Sequence, residues 1–113
     1  MTELLHLTER ALWEAARASG SYEGSTRGRT LAQEGFIHCS LPDQLGAVAE
    51  AVYGDHPGNL VVLVIDDALV NAPIRYESPA PGAERYPHLY GPLPVNAVTE
   101  VREWTGDHQS DNG

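Results

Sequence analysis

The sequence predicts one small α+β domain, a bent, mixed β-sheet with two helices over residues 1–104, followed by a disordered tail over residues 105–113. Three observations predict it. A chain of 113 residues has room for one core. The run Leu60-Val61-Val62-Leu63-Val64-Ile65 is uninterrupted and mostly β-branched, as a central strand buried on both faces must be. Helical periods fall early and strand-like runs fall late, which disfavours the regular alternation of a doubly wound parallel sheet.

The elements follow in order. Leu4 to Thr8 alternates as a strand, and Thr8 is expected to cap a helix from Glu9 to Ser19 that stops at Gly20. Leu12, Trp13, Ala15, Ala16 and Ala18 give that helix a modest apolar stripe. Ser21-Tyr22-Glu23 reads as a short extended piece, Gly24 to Thr30 as a loop, and Leu31 to Glu34 as one helical turn closed by Gly35. Phe36 to Ser40 is a second strand. Ser40, with Pro42 and Asp43 in the opening turn, starts a second long helix reaching about Tyr53, with Leu45, Val48, Ala49 and Val52 at i, i+3, i+4 and i+7. Gly54 to Asn59 is loop, Ile74 to Ser78 strand, and Pro79-Ala80-Pro81-Gly82 a turn. Pro87 to Pro94 reads as an irregular proline-rich segment, and Val98 to Trp104 as a final strand.

Composition narrows the function. Sixteen carboxylates stand against seven arginines and no lysine, a net charge of −9. Phosphate backbones need clustered cations, so no nucleic-acid partner is expected. One cysteine, Cys39, precludes an internal disulfide and points to a reducing compartment, and no stretch approaches the ~20 apolar residues of a membrane span. The expectation is a cytoplasmic protein without membrane partners, monomeric or weakly dimeric.

Three histidines lie in apolar strings and are the first candidates for chemistry. In an extended chain His6 and Thr8 face one way and Leu5 and Leu7 the other, while His38 and Ser40 face opposite Ile37 and Cys39. Neighbouring strands of that pattern would floor a cleft with two imidazoles and two hydroxyls, suited to hydroxyl recognition or base catalysis. The alternative is a pair of structural histidines bonded to backbone. Glu77 is the best carboxylate, with Glu84 behind it. Arg75 and Glu77 share a strand face, Tyr76 points away, and the bland reading is a solvated Arg75–Glu77 ion pair. In Glu84-Arg85-Tyr86-Pro87-His88-Leu89-Tyr90-Gly91-Pro92 the prolines stiffen a loop whose Tyr86, His88 and Tyr90 either clamp a flat ring or plug the core. No metal-binding spacing occurs, and a metal-assisted hydrolase would have to assemble His6, His38 and His88 from separate segments. Cys39 is expected to pack inward.

Taken together, His6-Leu7-Thr8, Trp13, Gly35-Phe36-Ile37-His38-Cys39-Ser40, Gln44, the Leu60 to Asp66 strand, Glu77 and Pro87-His88-Leu89-Tyr90-Gly91-Pro92-Leu93 resemble domain-of-unknown-function family nine-five-two, small and mostly bacterial proteins. At greater distance the layout resembles the ADP-ribosyltransferase fold. That resemblance implies NAD or a related nucleotide as ligand and transfer or cleavage of ADP-ribose. It implies catalytic roles for His6, His38 and Glu77, with His6 on ribose hydroxyls and Glu77 on the developing positive charge. It also implies binding roles for Thr8, Ser40, Arg75, His88 and Tyr90, with His38 standing where tyrosine is usual. A non-catalytic small-molecule module on the same scaffold is the competing expectation.

Overall fold

In the computed structural model, which describes residues 3–54, 59–78 and 80–104, two three-stranded antiparallel sheets pack around a shared core. The first has the order β1 (Glu3–Glu9), β6 (Leu60–Asp66), β10 (Val98–Trp104). β6 lies at its centre, and the reason is visible in its side chains. Val61, Leu63 and Ile65 enter the core between the sheets; Leu60, Val62 and Val64 enter a second cluster under helix α3 (Leu45–Tyr53). A strand with apolar side chains on both faces loses the least by sitting where both faces are covered.

The second sheet has the order β5 (Ile37–His38), β8 (Tyr86–Leu89), β7 (Ile74–Glu77). Its register pairs Ile37 and Ile74 with Leu89, His38 and Arg75 with His88, and Glu77 with Tyr86. Partners across a ladder share a face, so Ile37, Leu89 and Ile74 point to the core and His38, His88, Arg75, Tyr86 and Glu77 point away from it. β5 is short for a covalent reason. The Pro87 carbonyl accepts from Cys39 N–H at 3.0 Å, but proline has no N–H to return the bond. The chain then leaves β8 and bridges to β1, where Leu5 and Ser40 exchange backbone bonds of 2.8 and 2.7 Å.

Smaller elements close the ends. Helix α1 (Arg10–Ser19) stops at Gly20, whose φ of 94° is left-handed and whose N–H returns to the Ala16 carbonyl. β2 (Ser21–Tyr22) pairs with β9 (Leu93–Pro94), and β3 (Gly24–Thr26) with β4 (Arg29–Thr30). Helix α2 (Leu31–Glu34) is one turn held by a capping box: Thr30 Oγ1 accepts from Gln33 N–H, and Gln33 Oε1 accepts from Thr30 N–H at 2.9 Å. Thr30→Ala should cost about 1 kcal/mol in urea unfolding, and an unchanged midpoint would show that the turn does not depend on its cap.

Several expectations are corrected. Every ladder among the described residues is antiparallel, so the sheet is neither single nor mixed; the helical turn read over Leu31 to Glu34 is present as α2, which brings the two long helices expected to three α-helices. Thr8 continues β1 instead of capping α1; the N-cap is Glu9, without a side-chain bond, and Arg10 N–H reaches the Asn59 carbonyl. Only Trp13 and Ala16 of the α1 stripe are buried, and Leu12 is 45% exposed. The segment read as a loop contains β3 and β4, and the run read as irregular contains β9 and most of β8; the two-residue pairings of β3–β4 and β2–β9 carry no alternation to detect, and in β8 Pro87 masks it. Residues 55–58, Pro79, and the tail with His108 lie outside the described residues. Among the described residues no helix is long and apolar enough to cross a membrane.

Candidate functional site

A cleft of about 600 Å3 opens between α3 and the outward face of the β5-β8-β7 sheet. Ala47, Val48, Ala51 and Val52 of α3 form its apolar side. Their presence explains why the apolar period of α3 is wider than its core contact: Leu45, Ala49 and Tyr53 are buried, while Val48 and Val52 stay half-exposed toward the cleft. The facing side carries His38, Tyr86, His88 and Glu77, with Phe36, Glu34, Ser25 and Ser40 at the ends.

Ring contacts order that face. Phe36 stacks on His88, centroids 4.1 Å apart and planes 15° from parallel, and His38 meets His88 edge-on at 4.8 Å. Glu77 Oε1 accepts two hydrogen bonds, from Tyr90 Oη–H at 2.5 Å and from His88 Nδ1–H at 2.8 Å. The phenol first and the imidazole second hold the Glu77 carboxyl below its usual pKa, and the same bond pushes the Tyr90 phenol up. Arg75 lies over the Tyr90 ring at 5.5 Å. The expected Arg75–Glu77 ion pair is therefore replaced by an array, Arg75 over Tyr90, with Tyr90 and His88 both on Glu77. Burial, and then the neighbouring His88, lower the His38 pKa and favour its neutral form.

Nδ1 of His88 is a donor in either state of the ring, since a carboxylate only accepts. In neutral imidazole with Nδ1–H on a carboxylate, Nε2 carries a lone pair and accepts. That Nε2 has no protein hydrogen-bond partner among the described residues, although His88 is only 9% exposed. The Ser40 hydroxyl is in the same condition at 2% exposure. Buried polar atoms usually have partners, so both point to something that occupies the cleft, water included.

His6 behaves differently. It borders the cleft but is 2% exposed, and both ring nitrogens are bound within the protein. Nδ1 lies 2.6 Å from the His38 carbonyl and Nε2 lies 2.8 Å from Tyr22 Oη. A carbonyl only accepts, so Nδ1 is the protonated nitrogen and Nε2 the acceptor. The single Tyr22 phenolic proton then goes to His6, and the Thr8 hydroxyl, 2.7 Å from Tyr22 Oη, donates to the phenol. Burial lowers the His6 pKa to about 4, which keeps the ring neutral and this relay intact. Burial also raises the Tyr22 phenol. Gly24 adds a steric limit, because a Cβ there would lie 2.5 Å from Tyr22 Oη.

The expectation that His6, Thr8, His38 and Ser40 floor one cleft is corrected accordingly. Alternation within each strand is as the sequence implied, but β1 and β5 meet only at the Leu5–Ser40 bridge. His6 and Thr8 turn toward Tyr22, whereas His38 and Ser40 line the cleft. His6 is a positioning residue: its Nδ1–H binds the edge of β5 opposite β8, at the residue that presents the His38 ring. Among the described residues no three of His, Cys, Asp or Glu are arranged to hold a metal ion, and His6, with both nitrogens engaged, does not join His38 and His88 for that purpose. Cys39 is buried in the core, where burial raises its thiol pKa to about 12, far from a nucleophile's. Glu84 accepts from Gln44 Nε2 at 2.9 Å and ties the segment before β8 to the start of α3. Tyr86, one of the residues read as a possible ring clamp, does line the cleft, whereas Tyr22, Phe36 and the outer face of α3 carry no functional signal in the sequence analysis. Only the small residues Ala47 and Ala51 on a helix face signalled a groove there.

Residues 7–101 match the family model described as "Protein of unknown function (DUF952)". The chain belongs to the DUF952 family. Two solved structures of one relative, CC0527 from Caulobacter crescentus, show that the fold is shared. In the crystal structure the relative is 34% identical, with 90% of this chain and 85% of that chain covered and a TM-score of 0.75. In the solution structure the identity is 32%, the coverage 96% and 90%, and the TM-score 0.75. No curated protein matches. Within this DUF952 protein the family match begins inside β1, at Leu7, and covers all of β5 and β8, the strands that carry His38 and His88.

Proposed function

We propose that this DUF952 protein binds a small planar molecule in the cleft and handles a proton on it through the Glu77–His88 pair. The observation that carries the reading is the bare Nε2 of His88, set by the Nδ1–H bond to Glu77 and directed into a cleft large enough for a ligand. The α3 side offers the apolar surface a ring needs, and His38, Phe36 and Tyr86 the aromatic edge.

NAD fits this donor set in part. Its nicotinamide ring suits the aromatic side. Its diphosphate meets no arginine among the described residues lining the cleft, and the chain has no lysine. His6 is not available to its ribose hydroxyls. An ADP-ribosyltransferase-like activity, with Glu77 facing a cationic sugar carbon, accordingly ranks behind binding of an uncharged or cationic ring. A binding module without catalysis is the second reading, favoured by the absence of an activated nucleophile among the described residues, since Cys39 faces the core.

Titration of nicotinamide, adenosine and NAD into protein with 15N-labelled histidine tests this. Shifts of the His38 and His88 ring nitrogens are expected with the two uncharged ligands, at least as strong as with NAD. If none of the three moves these rings at millimolar concentration, the reading fails. If NAD alone moves them, the nucleotide is restored as ligand. Glu77→Gln should leave a purely binding function in place and shift the His88 tautomer.

A further inference from the structure

The charge of the cleft carries a ligand preference that the shape alone does not. Two carboxylates, Glu34 and Glu77, border it, and no arginine does among the described residues. Each carboxylate uses one oxygen in the contacts identified: Glu34 Oε2 accepts from Arg29 Nε at 2.6 Å, and Glu77 Oε1 takes both Tyr90 and His88. The other lining groups that seek a partner include the His88 Nε2 acceptor and the buried Ser40 hydroxyl. Phe36, Tyr53 and Tyr86 add ring faces, and one is already used by a cation: the Arg27 guanidinium lies 5.4 Å over Tyr53 while donating to the Val52 carbonyl at 2.8 Å. The nearby cations are thus committed to Glu34, to Val52 with Tyr53, and to Tyr90.

Acceptors, carboxylate oxygens and ring faces together suit one kind of guest. We infer that the cleft selects planar organic cations bearing N–H donors, of the amidinium or guanidinium class, over neutral isosteres and against anions. Amidinium N–H groups would meet the His88 acceptor and a carboxylate, its flat carbon body would lie along Ala47, Val48, Ala51 and Val52, and its charge would face aromatic rings. This rests on the cleft being a ligand site, as proposed above, and adds the charge class of the ligand.

Benzamidine, benzamide and benzoate share one shape and carry charges of +1, 0 and −1, so they separate charge from fit. Their affinities are measured by ring-nitrogen shifts of His38 and His88 at low ionic strength. Benzamidine should bind at least about tenfold more tightly than benzamide, and benzoate more weakly than either. Glu34→Gln, a change on an exposed single-turn helix that leaves the core untouched, should cut the benzamidine-to-benzamide ratio about threefold or more. Equal affinity for benzamidine and benzamide, tighter binding of benzoate, or a ratio indifferent to Glu34→Gln would overturn the charge preference and leave the cleft as a ligand site. No shift with any of the three would overturn both.

Discussion

His6→Ala should destabilise the protein by about 3 kcal/mol or more, the combined cost of a cavity in a packed interior and of buried polar groups left without partners. The structural basis is specific. The His38 carbonyl loses its Nδ1–H donor, the Tyr22 phenol loses its acceptor, and the Thr8 hydroxyl keeps only that phenol. The phenol and the Thr8 hydroxyl are buried and the His38 carbonyl partly so, which leaves water little access to the space of the ring unless Leu63 and Tyr22 shift. The second consequence reaches the cleft. β5 is anchored on one edge to β8 and on the other by the His6 bond and the Leu5–Ser40 bridge, so the variant should also loosen the His38 ring. Chemical denaturation measures the first effect, and broadening of the His38 ring signals measures the second. A variant within 1 kcal/mol of wild type, with sharp His38 signals, would show that His6 neither supports the fold nor positions β5.

Stability should fall by about 3 kcal/mol as pH drops from 6.5 to 4, from His6 alone. The folded ring has a pKa of about 4 and the unfolded ring one of 6.5, because burial penalises the imidazolium in the native state. Between those values the unfolded chain binds a proton that the folded chain refuses, so acid favours unfolding. The stabilising contribution is complete above pH 6.5, declines through the window, and is gone below pH 4. His38, also lowered by burial, acts in the same direction, as does Glu77 at the acid end, where its depressed pKa makes protonation costly. Comparing wild type with His6→Gln isolates the contribution: the slope of stability against pH between 6.5 and 4.5 should be shallower in the variant by up to one proton per molecule. Parallel slopes would mean that His6 titrates normally in the folded protein.

The sequence resolved the elements whose residues decide their own environment. β6 is legible because six consecutive apolar residues have no solvent face to offer. The stop of α1 is legible because Gly20 accepts a left-handed φ of 94° without strain. Thr8 carries the signal of a cap and that of a buried strand hydroxyl in one residue type, and Tyr22, fourteen positions away, decides for the strand. The strand character of Tyr86 to Leu89 was hidden by Pro87, which is uncommon in a central strand and is tolerated here because its missing N–H faces the point where β5 ends.

Alternation along each strand, set by covalent geometry, established from the sequence that His38 with Ser40 and His6 with Thr8 point away from Ile37, Cys39, Leu5 and Leu7. Composition established a lysine-free, acidic chain. Which of the two histidine faces meets solvent was decided only by the tertiary structure, because it depends on how two sheets are placed and on a tyrosine from a third segment. Packing put Tyr22 against His6, closing that ring inside the protein, and put α3 across from His38 and His88, leaving theirs open. Long-range contacts of this kind leave no periodic mark in a sequence, so the chemistry of the cleft became readable only once the chain was folded.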